Sequence, residues 1–306
     1  MAGLFTQCGV VLLSEAITLE QLLEALPGAR SKPPTGQGHW AFGDGAAVLP
    51  TGGGGRLMVD VVERPWPDAM GDPKDDTLVF GAWTMGHFGS GTFPGGLQRA
   101  GEQAWHWPEA RALQHAAFLR LRCIWVQGKD DPIRPADYRP MPELVRLART
   151  ASGLLKLPQA LAWFDPVGEV LMNAQHLDEA LAHLEQTGQP PLDAWINLRF
   201  FRAGDSGWAL MDTVGMGQLD LPDLEAVFNL ELAQPDQVAR MLRNISLYLL
   251  GKGDAFEEGH TADGPDGQPW GVMRVTGLVS PPRDTRRFVQ PGERVPHALL
   301  ARGEDA

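Results

Sequence analysis

The stretch WINLRFFRAGDSGWALMDT, residues 195–213, decides the fold class. Residues 195–202 largely alternate between apolar and polar side chains, which is the period of a strand with one face toward a core. The segment AGDSG at 203–207 is rich in turn-forming residues, and residues 208–213 resume the apolar pattern. Two strands joined by so short a loop run antiparallel, so the stretch predicts a β-hairpin.

Helices are predicted on both sides of this hairpin. Thr18 followed by Gln21 is a capping-box pattern, and Asn173 is a suitable N-cap for a second helix. Pro235 opens a third helix, whose apolar face is Val238, Met241, Leu242, Ile245 and Leu249. Strands are predicted at 5–13, 46–49, 57–62, 78–83, 119–126, 160–164 and 270–278, and a further helix at 143–157.

These elements predict an α+β fold with mixed, mostly antiparallel sheets and helices packed on one face. A division into two similar subdomains is left open. The predicted boundaries are 1–135 for an N-terminal α+β subdomain and 136–290 for a C-terminal one. Residues 291–306 are predicted to be a mobile tail, because the chain becomes rich in Pro and Arg after position 281.

Composition places the chain among ordinary globular proteins. The 306 residues are 43% hydrophobic and 21% charged, and no run approaches the roughly 18 apolar residues that a membrane span needs. The first residues lack the basic flank of a secretory signal. Two cysteines, Cys8 and Cys123, lie in apolar stretches and are expected to be buried, reduced thiols. We therefore expect a cytoplasmic protein that contacts no membrane.

Negative charge is concentrated in one region. Residues 165–266 contain 18 acidic and five basic residues, a balance of −13, whereas the whole chain carries −12. Such a region disfavours nucleic acid and attracts a basic protein partner. A solubilising surface without a partner is the alternative interpretation.

The motifs of common enzymes and metal sites are absent. The run GHFGSGT at 86–92 lacks the Gly-Lys-Ser/Thr ending of a phosphate loop, so a flexible surface loop is expected. His176 and His183 are seven residues apart, whereas a helical zinc pair needs a spacing of four. We predict no catalytic residue, no metal and no cofactor.

Two groups of residues are candidates for contact with a partner. Asp212, Asp220, Asp223 and Glu225 cluster around Gly215, and Trp105 and Trp107 flank His106 in a predicted loop. Clustered carboxylates suit a basic partner, and exposed aromatic side chains suit an interface. The carboxylates could equally serve acid–base chemistry or the local hydrogen bonds of a turn.

The C-terminal half resembles a bacterial family known only as a domain of unknown function. The resemblance rests on five blocks, which are Trp163-Phe164-Asp165-Pro166-x-Gly168, Pro191–Ile196, Thr213-Val214-Gly215-Met216 with Leu221–Glu225, Leu242-x-Asn244-Ile245-x-x-Tyr248-Leu249-Leu250, and Glu258-Gly259-His260-Thr261. No catalytic residues come with this resemblance.

The whole chain also resembles, in size and acidity, immunity proteins encoded beside toxic effectors of the bacterial type VI secretion system. This resemblance implies an antitoxin-like protein that binds and neutralises a basic effector of the nuclease type, with a homodimer left open. The alternative is a small-molecule enzyme or ligand-binding domain that uses the Asp/Glu cluster near Gly215.

Overall fold

The computed structural model describes residues 5–32, 45–126, 132–292 and 295–301. The chain divides into two compact units, Met1–Trp195 and Ile196–Ala306. Each unit is built on its own sheet, and the two sheets are mostly antiparallel. The α+β class is therefore confirmed.

The first unit contains a seven-stranded sheet in the order β2-β3-β4-β5-β1-β6-β7. Its strands are β1 (Gln7–Leu13), β2 (Arg30–Lys32), β3 (Ala46–Pro50), β4 (Arg56–Val62), β5 (Ala117–Ile124), β6 (Ala160–Asp165) and β7 (Val170–Met172). Every described neighbour pair in this sheet is antiparallel. All seven residues of β1 are buried, so both faces of this central strand are covered.

Five α-helices are described in the first unit. They are α1 (Leu19–Ala25), α2 (Thr77–Thr84), α3 (Gly96–Glu102), α4 (Pro140–Leu154) and α5 (Ala174–Thr187). The predicted capping box is present, because Thr18 and Gln21 exchange side-chain to backbone hydrogen bonds. The Asn173 cap is also present, since its side chain accepts a hydrogen bond from the backbone N–H of His176.

Trp66 is at the centre of one core cluster of the first unit. Its ring lies 5.1 to 5.4 Å from those of Phe88, Phe118 and Phe164. Helices α2 and α3 contribute Val79, Ala82 and Ala100 to the same cluster. The glycine-rich run at 86–92 is anchored by this contact, because Phe88 is 1% exposed. The predicted surface loop is therefore buried at Phe88 and Gly89, and its flexibility stays a prediction.

Gly9 of β1 leaves room for the buried indole ring of Trp163, which belongs to the neighbouring strand β6. A Cβ atom on Gly9 of β1 would lie 2.2 Å from Cη2 of Trp163, a residue of the neighbouring strand β6. That distance is far inside van der Waals contact, so the position requires glycine.

The second unit contains a six-stranded sheet in the order β11-β12-β13-β10-β9-β8. Its strands are β8 (Asn197–Arg202), β9 (Trp208–Val214), β10 (Asp223–Asn229), β11 (Thr261–Asp263), β12 (Pro269–Thr276) and β13 (Asp284–Val289). Strands β8 and β9 form the predicted hairpin. Strands β10 and β13 pair in parallel, whereas the other described neighbours in this sheet are antiparallel.

Helix α6 (Pro235–Lys252) covers one face of the second sheet. Val238, Leu242 and Leu249 are fully buried, and Met241 and Ile245 are each 9% exposed. The predicted apolar face of this helix is therefore confirmed as core.

Two predictions from the sequence need correction. Residues 78–83, predicted as a strand, belong to α2, which buries Val79 and Ala82 at helical spacing. The boundary predicted at 135/136 lies inside the first unit, because β6 pairs with β1. Within the predicted mobile tail, His297–Leu300 form a 3₁₀ turn, and the mobility of this segment stays a prediction.

Candidate partner-binding site

Four of the charged residues in the second unit form one row across four adjacent strands. Arg199 of β8 is opposite Asp212 of β9, Asp212 is opposite Glu225 of β10, and Glu225 is opposite Arg287 of β13. All four are at most 1% exposed. Residues directly opposite on neighbouring strands share a face, so the row is a buried ladder of two arginines and two carboxylates.

Each carboxylate of this row is held by an arginine. Nε and Nη2 of Arg199 donate to Oδ1 and Oδ2 of Asp212 at 2.9 and 2.6 Å. Nη2 of Arg283 donates to Oδ2 of Asp212 at 2.5 Å. Nε of Arg287 donates to Oε2 of Glu225 at 2.7 Å, and the backbone N–H of Leu278 donates to Oε1 of Glu225 at 2.7 Å.

Residues on both sides of β13 cover this row, and some of them belong to the predicted tail at 291–306. Leu278, Val279, Val295 and Leu299 pack against Trp208, Leu210 and Val227 on the same face of the sheet. The backbone carbonyls of Leu299 and Ala301 accept hydrogen bonds from Nη1 of Arg287 at 3.1 and 2.6 Å. A buried arginine therefore fixes the last described residues of the chain to the sheet.

Asp223 begins β10 and closes the turn around Gly215. Its Oδ1 accepts hydrogen bonds from the Thr213 hydroxyl at 2.8 Å and from the backbone N–H of Met216 at 3.1 Å. Burial raises the pKa of Asp223 to about 6, although Arg283 and these two donors lower it. The backbone of Gly215 has φ of 121°, a conformation that favours glycine.

Three of the four predicted contact carboxylates are therefore in the interior. Asp212, Asp223 and Glu225 are buried, and only Asp220 of the four is exposed. Their oxygen atoms accept hydrogen bonds from arginine, hydroxyl and backbone donors, which stabilises the charged turn and the sheet. The interpretation as local structural hydrogen bonds describes these three residues better than a partner-facing surface.

The two predicted contact tryptophans belong to the first unit. Trp105 is 51% exposed, whereas Trp107 packs on the core cluster around Trp66. Trp107 is thus a partly buried core residue, and the role of Trp105 in partner contact stays a prediction. The two tryptophans thus belong to the first unit, and the four carboxylates belong to the second.

A groove of about 670 Å³ opens on the surface of the second unit, between α6 and β11. Its floor contains Met241 and Ile245, and Tyr248, 50% exposed, packs on Phe256 with ring centroids 6.0 Å apart. The remaining lining residues are Gln237, Arg240, Asn244, Thr261, Ala262, Asp263, Gly264 and Pro265. No sequence motif indicates this groove, because its two walls are separated along the chain.

The first unit also carries a buried ionic cluster. Arg120 and Arg122 of β5 both donate to the carboxylate of Asp60 on β4, at 2.5 and 3.0 Å. Cys8 is buried beside this cluster, and burial raises the pKa of its thiol to about 12, although Arg122 and Arg120 lower it. Both cysteines are buried and form no disulfide, as predicted.

Within the described ranges, no three or more His, Cys, Asp and Glu side chains are grouped so that they could hold a metal ion. No described helix combines the length and the apolar character that crossing a bilayer requires.

Comparison with known proteins identifies one family. Residues 212–289 match the model of a family described as a domain of unknown function (DUF4261). No curated protein and no solved structure matches the chain. The matched segment contains Asp212, Asp223, Glu225 and every residue that lines the groove. The predicted similarity to a family of unknown function is confirmed for this segment.

Proposed function

We propose that this protein is an immunity, or antitoxin-like, protein that binds and neutralises a basic toxic effector of the nuclease type, delivered by a type VI secretion system. The observation that carries the proposal is the surface charge that remains after the buried ion pairs are set aside. Residues 165–266 contain 18 carboxylates, of which Asp165, Glu169, Asp212, Asp223 and Glu225 are buried. Thirteen are left at the surface, against four basic side chains.

The acidic excess is found on each unit separately. In the first unit, Asp178, Glu179, Glu185 and Asp193 are exposed, and residues 165–195 contain no Lys or Arg. In the second unit, nine surface carboxylates between residues 196 and 266 exceed the basic side chains Arg202, Arg240, Arg243 and Lys252. A nuclease must attract a polyanion, so its active-site face is basic and an acidic inhibitor complements it.

The alternative of an enzyme at the Asp/Glu cluster gains no support from the geometry. A general acid or base must be within hydrogen-bond reach of a substrate. Asp212 and Glu225 have no exposed surface, and Asp223 is 4% exposed. Leu278, Val279, Val295 and Leu299 pack on the same face of the sheet, and this cover favours a structural role.

Growth protection tests the proposal. The product of a toxin-like reading frame beside the gene would be expressed from an inducible promoter, with and without this protein. We expect growth to be restored and the two proteins to purify as a complex, with the purified complex inactive in the effector's own assay. Equal growth inhibition with and without this protein would contradict the proposal.

A further inference from the structure

The groove of the second unit is bounded by an open sheet edge. Strand β11 is the last strand of its sheet and pairs only with β12 among the described strands. The backbone carbonyl of His260 accepts a hydrogen bond from the N–H of Val272, and the N–H of Gly264 donates to the carbonyl of Gln268. Antiparallel pairing alternates, so Ala262 is also a hydrogen-bonded position, and the backbone groups of Thr261 and Asp263 point away from β12.

An unpaired edge is a template for another extended chain. Thr261 and Asp263, the two residues whose backbone groups point away from β12, both line the groove. Opposite them, helix α6 presents the apolar floor of Met241 and Ile245, with Tyr248 beside it. An added strand could therefore pair with β11 and place every second side chain on this floor.

The charge of the β11 wall selects the occupant. Residues 254–266 carry five carboxylates and no Lys or Arg. Asp254 and Glu257 are paired with Arg286 and Arg274, and the others are Glu258, Asp263 and Asp266, of which Asp263 lines the groove. On the helix wall, the charge of Arg240 is offset by Asp236 at 2.9 Å. A second copy of this chain would bring one acidic wall against another, which opposes β11–β11 pairing. A basic segment would instead be attracted.

We propose that the groove between α6 and β11 binds an extended, basic segment of a protein partner, which adds to the sheet as a strand beside β11. The identification of that partner with the toxic effector rests on the proposed function. The extended and basic character of the bound segment is inferred from the groove alone.

The test uses the full-length protein and a display library of random nine-residue linear peptides. We expect the enriched peptides to carry net positive charge with apolar residues at alternate positions. Thr261→Pro removes an outward-pointing N–H, which an edge strand tolerates. It should weaken peptide binding by about tenfold or more, whereas the matched variant Thr261→Ala, which keeps the N–H, should bind as the wild type does.

If Thr261→Pro does not fold, two charge-reversal variants provide a second test. Asp263→Lys reverses a charge in the groove, and Asp205→Lys makes the same change in the exposed β8–β9 loop. Only Asp263→Lys should lose affinity for the basic peptides. The proposal is overturned if no basic peptide is enriched, if both lysine variants bind equally, or if the protein forms a dimer that Thr261→Pro abolishes.

The same variants separate this proposal from the proposed function. An effector that is neutralised equally well by Thr261→Pro and by wild type would leave the immunity role intact and remove the groove as its binding site. If the groove binds basic peptides but the protein protects against no effector, the groove remains a peptide-binding site and the immunity role is excluded.

Discussion

Arg199 and Asp212 face each other across the β8–β9 hairpin and are joined by two parallel hydrogen bonds, 2.9 and 2.6 Å long. Both side chains are at most 1% exposed, and Asp212 also accepts from Arg283. Asp212 is therefore the counter-charge of Arg199 and is shared with Arg283, whose Nε also lies 3.6 Å from Oδ2 of Asp223. Removing the charge of one partner leaves the other charge buried, which costs more than the pair itself contributes.

Asp212→Asn is therefore expected to destabilise the protein severely. The substitution keeps the shape of the side chain but leaves Arg199 and Arg283 without their shared counter-charge, and we expect a loss of about 3 to 5 kcal/mol in the free energy of unfolding. Urea unfolding followed by circular dichroism measures it. Asp236→Asn, which breaks the exposed pair with Arg240, is the control and should change stability by less than about 0.5 kcal/mol. Similar values for the two variants would contradict a structural role for the buried row.

Asp223 should make stability depend on pH between about 4 and 6. Burial raises the pKa of the folded-state carboxyl to about 6, whereas its ordinary value is 3.8. In this interval the folded protein keeps a proton that the unfolded chain releases, so this group lowers the free energy of unfolding as the pH rises. Asp223→Asn keeps an acceptor for Thr213 and Met216 but cannot titrate.

The difference between wild type and Asp223→Asn isolates this contribution from other titrating groups. From pH 4 to pH 6, wild type should lose on the order of 2 kcal/mol relative to the variant. Urea unfolding of both proteins at pH 4, 5 and 6 gives the comparison. Parallel stability curves would show that the folded-state pKa of Asp223 is not raised.

Leu242→Ala should destabilise the second unit by about 2 to 5 kcal/mol, because the side chain is fully buried under α6 and its loss leaves a cavity. Leu232, which is 62% exposed, offers a matched control. Leu232→Ala should change stability by no more than about 0.5 kcal/mol. If Leu242→Ala kept its melting temperature but lost its partner, this face of the helix would be an interface and not core.

Gly9→Ala should disrupt the first sheet. The added methyl group would overlap the ring of Trp163, and neither β1 nor β6 can move without losing pairs on both sides. Overpacking of this kind costs about 1 to 3 kcal/mol or more. Thermal unfolding measures the change, and the double variant Gly9→Ala with Trp163→Phe tests its cause, since the smaller ring should restore part of the loss. No recovery in the double variant would exclude the steric explanation.

Association with a basic effector should slow as ionic strength rises. The screening length is about 10 Å at 0.1 M salt and about 3 Å at 1 M, so steering by the acidic surface is lost. Stopped-flow mixing gives the association rate constant, and the dissociation rate constant serves as the internal control because steering affects it little. An association rate that is the same at low and high salt would remove electrostatic steering from the proposal.

The sequence predicted well where one local pattern determines an element. The hairpin of β8 and β9, the Thr18 and Asn173 caps and the apolar face of α6 are all present. Residues 78–83 were misassigned because a short apolar run fits either a strand or a buried helix. Strand β13 was missed because Arg286 and Arg287 are adjacent and resemble a solvated loop, although both are buried in ion pairs.

The candidate site was only partly predictable for a related reason. Asp212, Asp223 and Glu225 stand out as a cluster, but their partners Arg199, Arg283 and Arg287 are 13 to 71 residues away along the chain. Nothing local reveals that three separated arginines will neutralise the cluster. The groove could not be predicted for the same reason, since its two walls come together only when β11 joins the sheet.

The position of β13 has a consequence for the order in which the second unit is made. In the sheet, β13 is between β12 and β10, although it follows both of them along the chain. During synthesis, the β8–β10 meander and the β11–β12 hairpin emerge from the ribosome first, and neither has its neighbour until residues 284–289 arrive. Until β13 is made, one edge of β10 and one edge of β12 are unpaired, and Glu225 lacks its partner Arg287. A chain that ended before residue 284 would therefore keep both of these edges unpaired, and unpaired strand edges promote aggregation.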